Sequence, residues 1–266
     1  MPSAELTRTE VFADLELEVF EAGQGRDVLV LHGEGGLQRS SGFLRRLAEG
    51  AHVVAPSHPG FGRSPLPAWL DGVDDAAYVY LDLLDERDLD GVVVVGLSLG
   101  GWIAAEMAVR RSPRIRSLVL VDAYGIRVSG DRQARDVADV WALPPDEVLR
   151  LAYHDPELGR VDYAALDDEE AQIAARNQQA AVLYGWKPYL NDPKLARRLR
   201  RVEVPSLVVW GEADGITPPE YGRAYAAAIP GARFELVAGA GHHPEVEQPD
   251  RLSTLIWRFA EEEEGP

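Results

Sequence analysis

Ser98 stands at the centre of Gly96-Leu97-Ser98-Leu99-Gly100, directly behind the apolar run Val92-Val93-Val94-Val95. A serine hydroxyl is a weak nucleophile at neutral pH. It becomes effective beside a general base, which in turn needs a carboxylate to fix its tautomer. Glycines two residues either side of Ser98 have no Cβ, so a strand can turn sharply into a helix with the hydroxyl at the apex. Downstream, Leu207-Val208-Val209-Trp210 runs into Gly211-Glu212-Ala213-Asp214, which offers two acids, Glu212 and Asp214. Phe234-Glu235-Leu236-Val237 then leads to Gly241-His242-His243-Pro244, which offers two bases, His242 and His243. Serine, acid and histidine in that order suit a relay built at a nucleophile elbow. His32-Gly33-Glu34-Gly35-Gly36 supplies a glycine-rich turn after another apolar run, and amides near Glu34 and Leu99 could hold a developing oxyanion. The chemistry implied is acyl transfer to a serine.

Such groups meet only if the chain carries them to one edge of one sheet. Short apolar runs alternate with helical patterns, which predicts an α/β fold with a mostly parallel sheet and helices on both faces. Strands are expected at Leu15-Phe20, with one wet face as at a sheet edge, and at Val28-Leu31, His52-Ala55, Val92-Val95, Leu118-Val121, Leu207-Trp210 and Phe234-Val237. Helices are expected within 43–47, 76–84, 101–111, 221–228 and 251–262. Between Tyr124 and about Val204 no strand pattern survives; helical runs at 132–142, 146–153, 168–184 and 192–200 predict an all-helical cap over the C-terminal strand edge, where open α/β sheets place ligands. The expected division is a core of residues 1–123 and 205–266 with a cap over 124–204.

Composition narrows the function. A net charge of −17 argues against nucleic acid and anionic membranes as partners. No apolar stretch approaches a membrane span of about 20 residues, and the N-terminus lacks a secretory pattern, so a cytoplasmic location is expected. With no cysteine there is no disulfide, thiolate metal site or cysteine nucleophile. No histidine pair or carboxylate cluster stands at metal-ligand spacing, and no phosphate loop is present, so neither metal nor cofactor is expected. A small acyl compound is the expected partner, and self-association is left open.

Taken together, the motifs resemble the α/β-hydrolase superfamily, particularly its small capped serine hydrolases. The likeness runs from about Phe20 to Phe259. It rests on His32-Gly33, Pro59-Gly60-Phe61-Gly62-Arg63-Ser64, Gly96-Leu97-Ser98-Leu99-Gly100-Gly101, Gly211-Glu212-Ala213-Asp214, and Gly241-His242 leading to Glu247-Gln248-Pro249, in the family's order. The resemblance implies an eight-stranded sheet, Ser98 as nucleophile, His242 as base and Asp214 as orienting acid, with Asp122 a further candidate because some relatives take their acid there. Gly33, His243, Trp141 and Trp186 are candidate pocket residues, with Tyr184 beside them. Ser57 departs from the family, where Asp often precedes the Pro-Gly turn; this concerns the turn rather than the chemistry. Carboxylester hydrolysis is the leading expectation. The alternatives are carbon–carbon hydrolysis of ring-cleavage keto acids, whose enzymes often carry Trp where this chain has His243, and a non-catalytic receptor on the same scaffold.

Overall fold

The computed structural model describes residues 6–12, 15–130 and 135–262. Eight strands form one sheet: β1 (Leu6–Phe12), β2 (Leu15–Ala22), β3 (Asp27–Leu31), β4 (His52–Pro56), β5 (Val92–Leu97), β6 (Ile115–Val121), β7 (Ser206–Gly211) and β8 (Arg233–Val237). Their order is β1-β2-β4-β3-β5-β6-β7-β8. β2 is antiparallel to both β1 and β4, and every other pairing is parallel. The expected edge position of Leu15-Phe20 is thus corrected: β1 pairs along its full length, with Leu6 opposite Glu21 and Phe12 opposite Leu15.

Nine α-helices are found among the described residues: α1 (Gly36–Leu47), α2 (Val73–Glu86), α3 (Leu99–Val109), α4 (Pro145–Ala152), α5 (Asp168–Gly185), α6 (Leu195–Arg198), α7 (Pro219–Ala228), α8 (Pro244–Glu247) and α9 (Pro249–Glu262). Successive side chains of a strand point to opposite faces, so a strand covered on both sides must be apolar throughout. β5 follows this rule. Val92 and Val94 join the apolar cluster that holds Leu83 of α2, Ile103 of α3 and Tyr225 of α7. Val93 and Val95 join the opposite cluster, with Phe43 of α1 and Ile256 of α9. Each such valine contributes about 1.5–3 kcal/mol relative to exposure. All residues of α3 are buried, in keeping with a sequence that is apolar but for Glu106, which pairs with Arg110 at 2.7 Å.

Between β6 and β7 the described chain adds no strand to the sheet and carries α4, α5, α6 and two short 3-10 turns. α4 begins at Pro145, where a missing N–H costs nothing. α5 begins in a reciprocal cap: Asp167 accepts the Glu170 amide at 2.8 Å and Glu170 accepts the Asp167 amide at 3.0 Å. The helix expected at 132–142 is not found over its described part, 135–142, which forms turns. There the Val140 amide donates to the Tyr189 hydroxyl at 2.9 Å rather than to a helical carbonyl.

Candidate active site

Ser98 sits between β5 and α3 with φ 49° and ψ −109°, a region L residues rarely adopt. Backbone bonds hold it there. Its amide donates to the Val121 carbonyl at 2.9 Å, and its carbonyl accepts the amides of Gly101 at 3.0 Å and Tyr124 at 3.1 Å. A side chain at position 100 would strike the Leu31 carbonyl, so the elbow can close only on glycine. A methyl added at Gly33 would come within 3.3 Å of Ser98 Cβ, which puts the glycine-rich turn against the nucleophile candidate.

The three elements end at one rim. Ser98 Oγ lies 2.8 Å from His242 Nε2, and His242 Nδ1 lies 2.8 Å from Asp214 Oδ2. Asp214 Oδ1 accepts the amides of Ile216 at 2.8 Å and Thr217 at 3.0 Å, while Oδ2 accepts the Thr217 hydroxyl at 2.7 Å. Tyr124 stacks on the imidazole of His242 with centroids 5.0 Å apart. Burial alone would push the Asp214 carboxyl up, but His242 and the Thr217 donors hold it below its usual range. Burial likewise lowers His242, and the charges of Asp214, Glu34 and Glu245 outweigh it and raise the imidazole.

The insert steadies this relay through a helix end. The last carbonyls of a helix have no partner inside it. At α4, Leu151 O accepts the Gly215 amide at 2.8 Å and Ala152 O accepts the His242 amide at 2.7 Å. One helix terminus therefore ties the acid loop to the histidine loop.

Asp122 is drawn in behind. It is fully buried, at φ 44°, and its Oδ1 accepts the Gly211 amide at 2.9 Å. Burial and the neighbouring charge of Asp214 push its carboxyl well above the usual range. Ligand-type atoms of Asp122, Asp214 and His242 lie within 4.8 Å of one another, but both Asp214 oxygens are already engaged by protein donors. Glu212, the rival acid, is exposed.

The glycine-rich turn is locked by two histidines. The His58 amide donates to His32 Nε2 at 2.9 Å, so the His32 proton is on Nδ1, which donates to the Gly33 carbonyl at 2.6 Å. His58 returns the contact from Nε2 to the His32 carbonyl at 2.8 Å. Burial lowers His32 to about 4, so both its roles persist at neutral pH. Beside Ser57, Glu18 of β2 is a buried carboxylate that accepts the Arg63 amide at 3.2 Å.

Glu34 behaves differently from expectation. Its backbone amide was the anticipated contributor, yet its carboxylate turns inward, with Oε2 accepting the Ser98 hydroxyl at 2.9 Å and Oε1 3.7 Å from His243 Nε2. The carboxylate also accepts from its own amide. Burial would raise it, but His243, His242 and these donors hold it below the usual range. His243 continues to Glu245, 3.1 Å from Nδ1, and stacks on Tyr153 at 4.8 Å. Leu99 opens α3, where the first amides are free of helical partners.

Trp141 and Trp186 lie 5.8 Å apart and Trp141 also meets Tyr189 at 5.1 Å; Trp186 is 62% exposed and faces solvent. Tyr184 is buried and donates to the Pro59 carbonyl at 3.2 Å, a packing role. Sequence reading passed over Thr217, Tyr124 and Tyr153. Thr217 alone had a signal, three residues past an acid in the order of a side-chain-to-amide turn.

The profile of the alpha/beta hydrolase family matches residues 28–255. The chain belongs to that family. Among α/β hydrolases it is 26% identical to a 2-hydroxymuconate semialdehyde hydrolase of Pseudomonas sp. (strain CF600), over 98% of this chain and 95% of that one. It is 28% identical to Lipase 1 of Psychrobacter immobilis, over 86% of this chain and 75% of that one. A solved meta-cleavage product hydrolase superposes with a TM-score of 0.78 at 20% identity, covering 97% of this chain and 98% of the other. No helix among the described residues of this α/β hydrolase is long and apolar enough to cross a membrane.

Proposed function

We propose that the protein is a serine hydrolase that cleaves a carboxylic ester or related acyl compound through an acyl-enzyme. The observation that carries the reading is the unbroken chain from Ser98 Oγ to His242 to Asp214, with both links at 2.8 Å. Ser98 attacks the acyl carbonyl while His242 Nε2 takes the hydroxyl proton and later gives it to the leaving alcohol. Asp214, fixed by Ile216 and Thr217, holds the Nδ1 proton in place and stabilises the imidazolium. The tetrahedral oxyanion rests on the amides of Glu34 and Leu99, once the Glu34 carboxylate has swung clear of its own amide. Water activated by His242 then releases the acid. The insert over 124–204 serves as a cap that limits the acyl group to small or medium size.

The test is labelling by a fluorophosphonate probe together with turnover of p-nitrophenyl acyl esters, run beside Ser98→Ala. Labelling of Ser98 with steady turnover, and loss of several orders of magnitude in kcat for Ser98→Ala, is the expected result. Labelling without turnover of any acyl ester would favour a receptor on a hydrolase scaffold. A second enzymatic reading, carbon–carbon hydrolysis of dienoic keto acids, is supported by the likeness to the 2-hydroxymuconate semialdehyde hydrolase. Decay of the keto-acid chromophore with no ester turnover would select it.

A further inference from the structure

Ser98 is faced by two acceptors of its single hydroxyl proton. His242 Nε2 is 2.8 Å away and Glu34 Oε2 is 2.9 Å away. The Glu34 carboxylate also accepts from its own amide, the donor that the proposed mechanism assigns to the oxyanion. This carboxylate is the accessible member of the cluster. A third of its side chain is open, whereas Ser98, His242, His243 and Glu245 are buried. Behind it, His243 is sandwiched between Glu34 at 3.7 Å and Glu245 at 3.1 Å, so one imidazole faces two acids. Arg39, the cation near this group, is turned away to the Tyr153 hydroxyl and to the Gly159 carbonyl at 3.2 Å.

An acyl substrate therefore approaches a nucleophile guarded by an anion. A carboxylate near the scissile bond would meet like charge at a few ångströms in a partly desolvated site, where such repulsion is strong. A neutral acyl group must displace Glu34 without offering it a new partner. A cationic nitrogen would accept the carboxylate in a charge-assisted hydrogen bond, drawing it off both the Ser98 hydroxyl and its own amide. We propose that Glu34 is a specificity-determining residue that selects acyl substrates carrying an ammonium group within a few bonds of the scissile carbonyl and rejects those carrying a carboxylate there. The inference rests on the serine-hydrolase reading and names its substrate class. It also runs against keto acids as substrates.

Three p-nitrophenyl esters of similar acyl size test it: butanoate, 3-aminopropanoate and hemisuccinate. With the wild-type protein, kcat/KM is expected to be about tenfold or more higher for the ammonium ester than for butanoate, and about tenfold or more lower for hemisuccinate. In Glu34→Gln the spread between the charged esters collapses to within about threefold. Equal wild-type rates on the three esters overturn the inference whether or not the variant folds, and a spread that survives in folded Glu34→Gln overturns it as well. Labelling separates the two levels. A wild-type Ser98 that labels but does not discriminate charge sinks this inference alone; a Ser98 that neither labels nor turns over ester sinks the hydrolase reading and this inference with it.

Discussion

Replacing Asp122 by Asn makes the protein more stable at neutral pH, although it alters a fully buried group directly behind the Asp214–His242 pair. Burial and the charge of Asp214 raise the Asp122 carboxyl well above its usual 3.8 in the native state. The unfolded chain ionises this group as pH passes its ordinary value, while the native state keeps the proton. A carboxyl raised on folding contributes most below the unfolded value, and its contribution is lost as pH climbs towards the native one. Over that window the wild type loses about 1.4 kcal/mol per pH unit from this residue, and Asn loses none. Asn reproduces the Gly211 contact, with its carbonyl accepting that amide as Oδ1 does at 2.9 Å, and carries no charge to oppose Asp214. The assay is urea unfolding of both proteins from pH 4 to 8. At the acid end the two midpoints should coincide, and the gap should then widen with pH at unchanged m-value. In contrast, Asp122→Ala leaves the Gly211 amide unpaired and costs about 1–3 kcal/mol at every pH. A wild-type advantage over Asn, or a difference flat across pH, would refute the protonated assignment.

Three other outcomes are expected. Because Asp214, Glu34 and Glu245 raise His242, the acid limb of kcat/KM for ester turnover lies above the 6.5 of a free imidazole, and Glu34→Gln moves that limb to lower pH; a pH–rate profile unmoved by the substitution would contradict it. Glu18→Ala removes the acceptor of the Arg63 amide and should lower stability by about 1–3 kcal/mol, read as a fall of about 2–10 °C in Tm, with ester turnover at 25 °C little changed. Gly100→Ala drives a methyl into the Leu31 carbonyl and should cost about 3 kcal/mol or more, so a wild-type melting curve would be incompatible with the elbow described.

Much of this arrangement was legible in the chain because β5 to β8 are short apolar runs whose flanking glycines mark where loops begin. Val92-Val95 could be placed as a doubly covered strand from its composition; strand ends pointed to Ser98 and to the pairs Glu212/Asp214 and His242/His243, and the family resemblance chose Asp214 and His242. β1 escaped because Leu6-Thr7-Arg8-Thr9-Glu10-Val11-Phe12 is largely polar and owes its strand state to pairing with β2. The run 132–142 looked helical by composition, yet the Tyr189 hydroxyl and the Ile216 carbonyl take up its Val140 and Ala138 amides. The inward turn of the Glu34 carboxylate depends on His243, more than two hundred residues away, so no local pattern could announce it. For the same reason the pairing of Trp186 with Trp141 had no local signature: the two are adjacent in space only.

The two carbonyls at the end of α4 also restrict how a reactant gets in. Were the covering segment to lift as one rigid flap hinged away from the sheet, the bonds from Leu151 and Ala152 would break together, and the loops bearing Asp214 and His242 would lose their common anchor. Admission by that route would dismantle the proton relay before chemistry began. On the proposed reading, entry that keeps both bonds intact comes from rearrangement elsewhere in the insert, so changes around α5 should leave the loops bearing Asp214 and His242 anchored as they are.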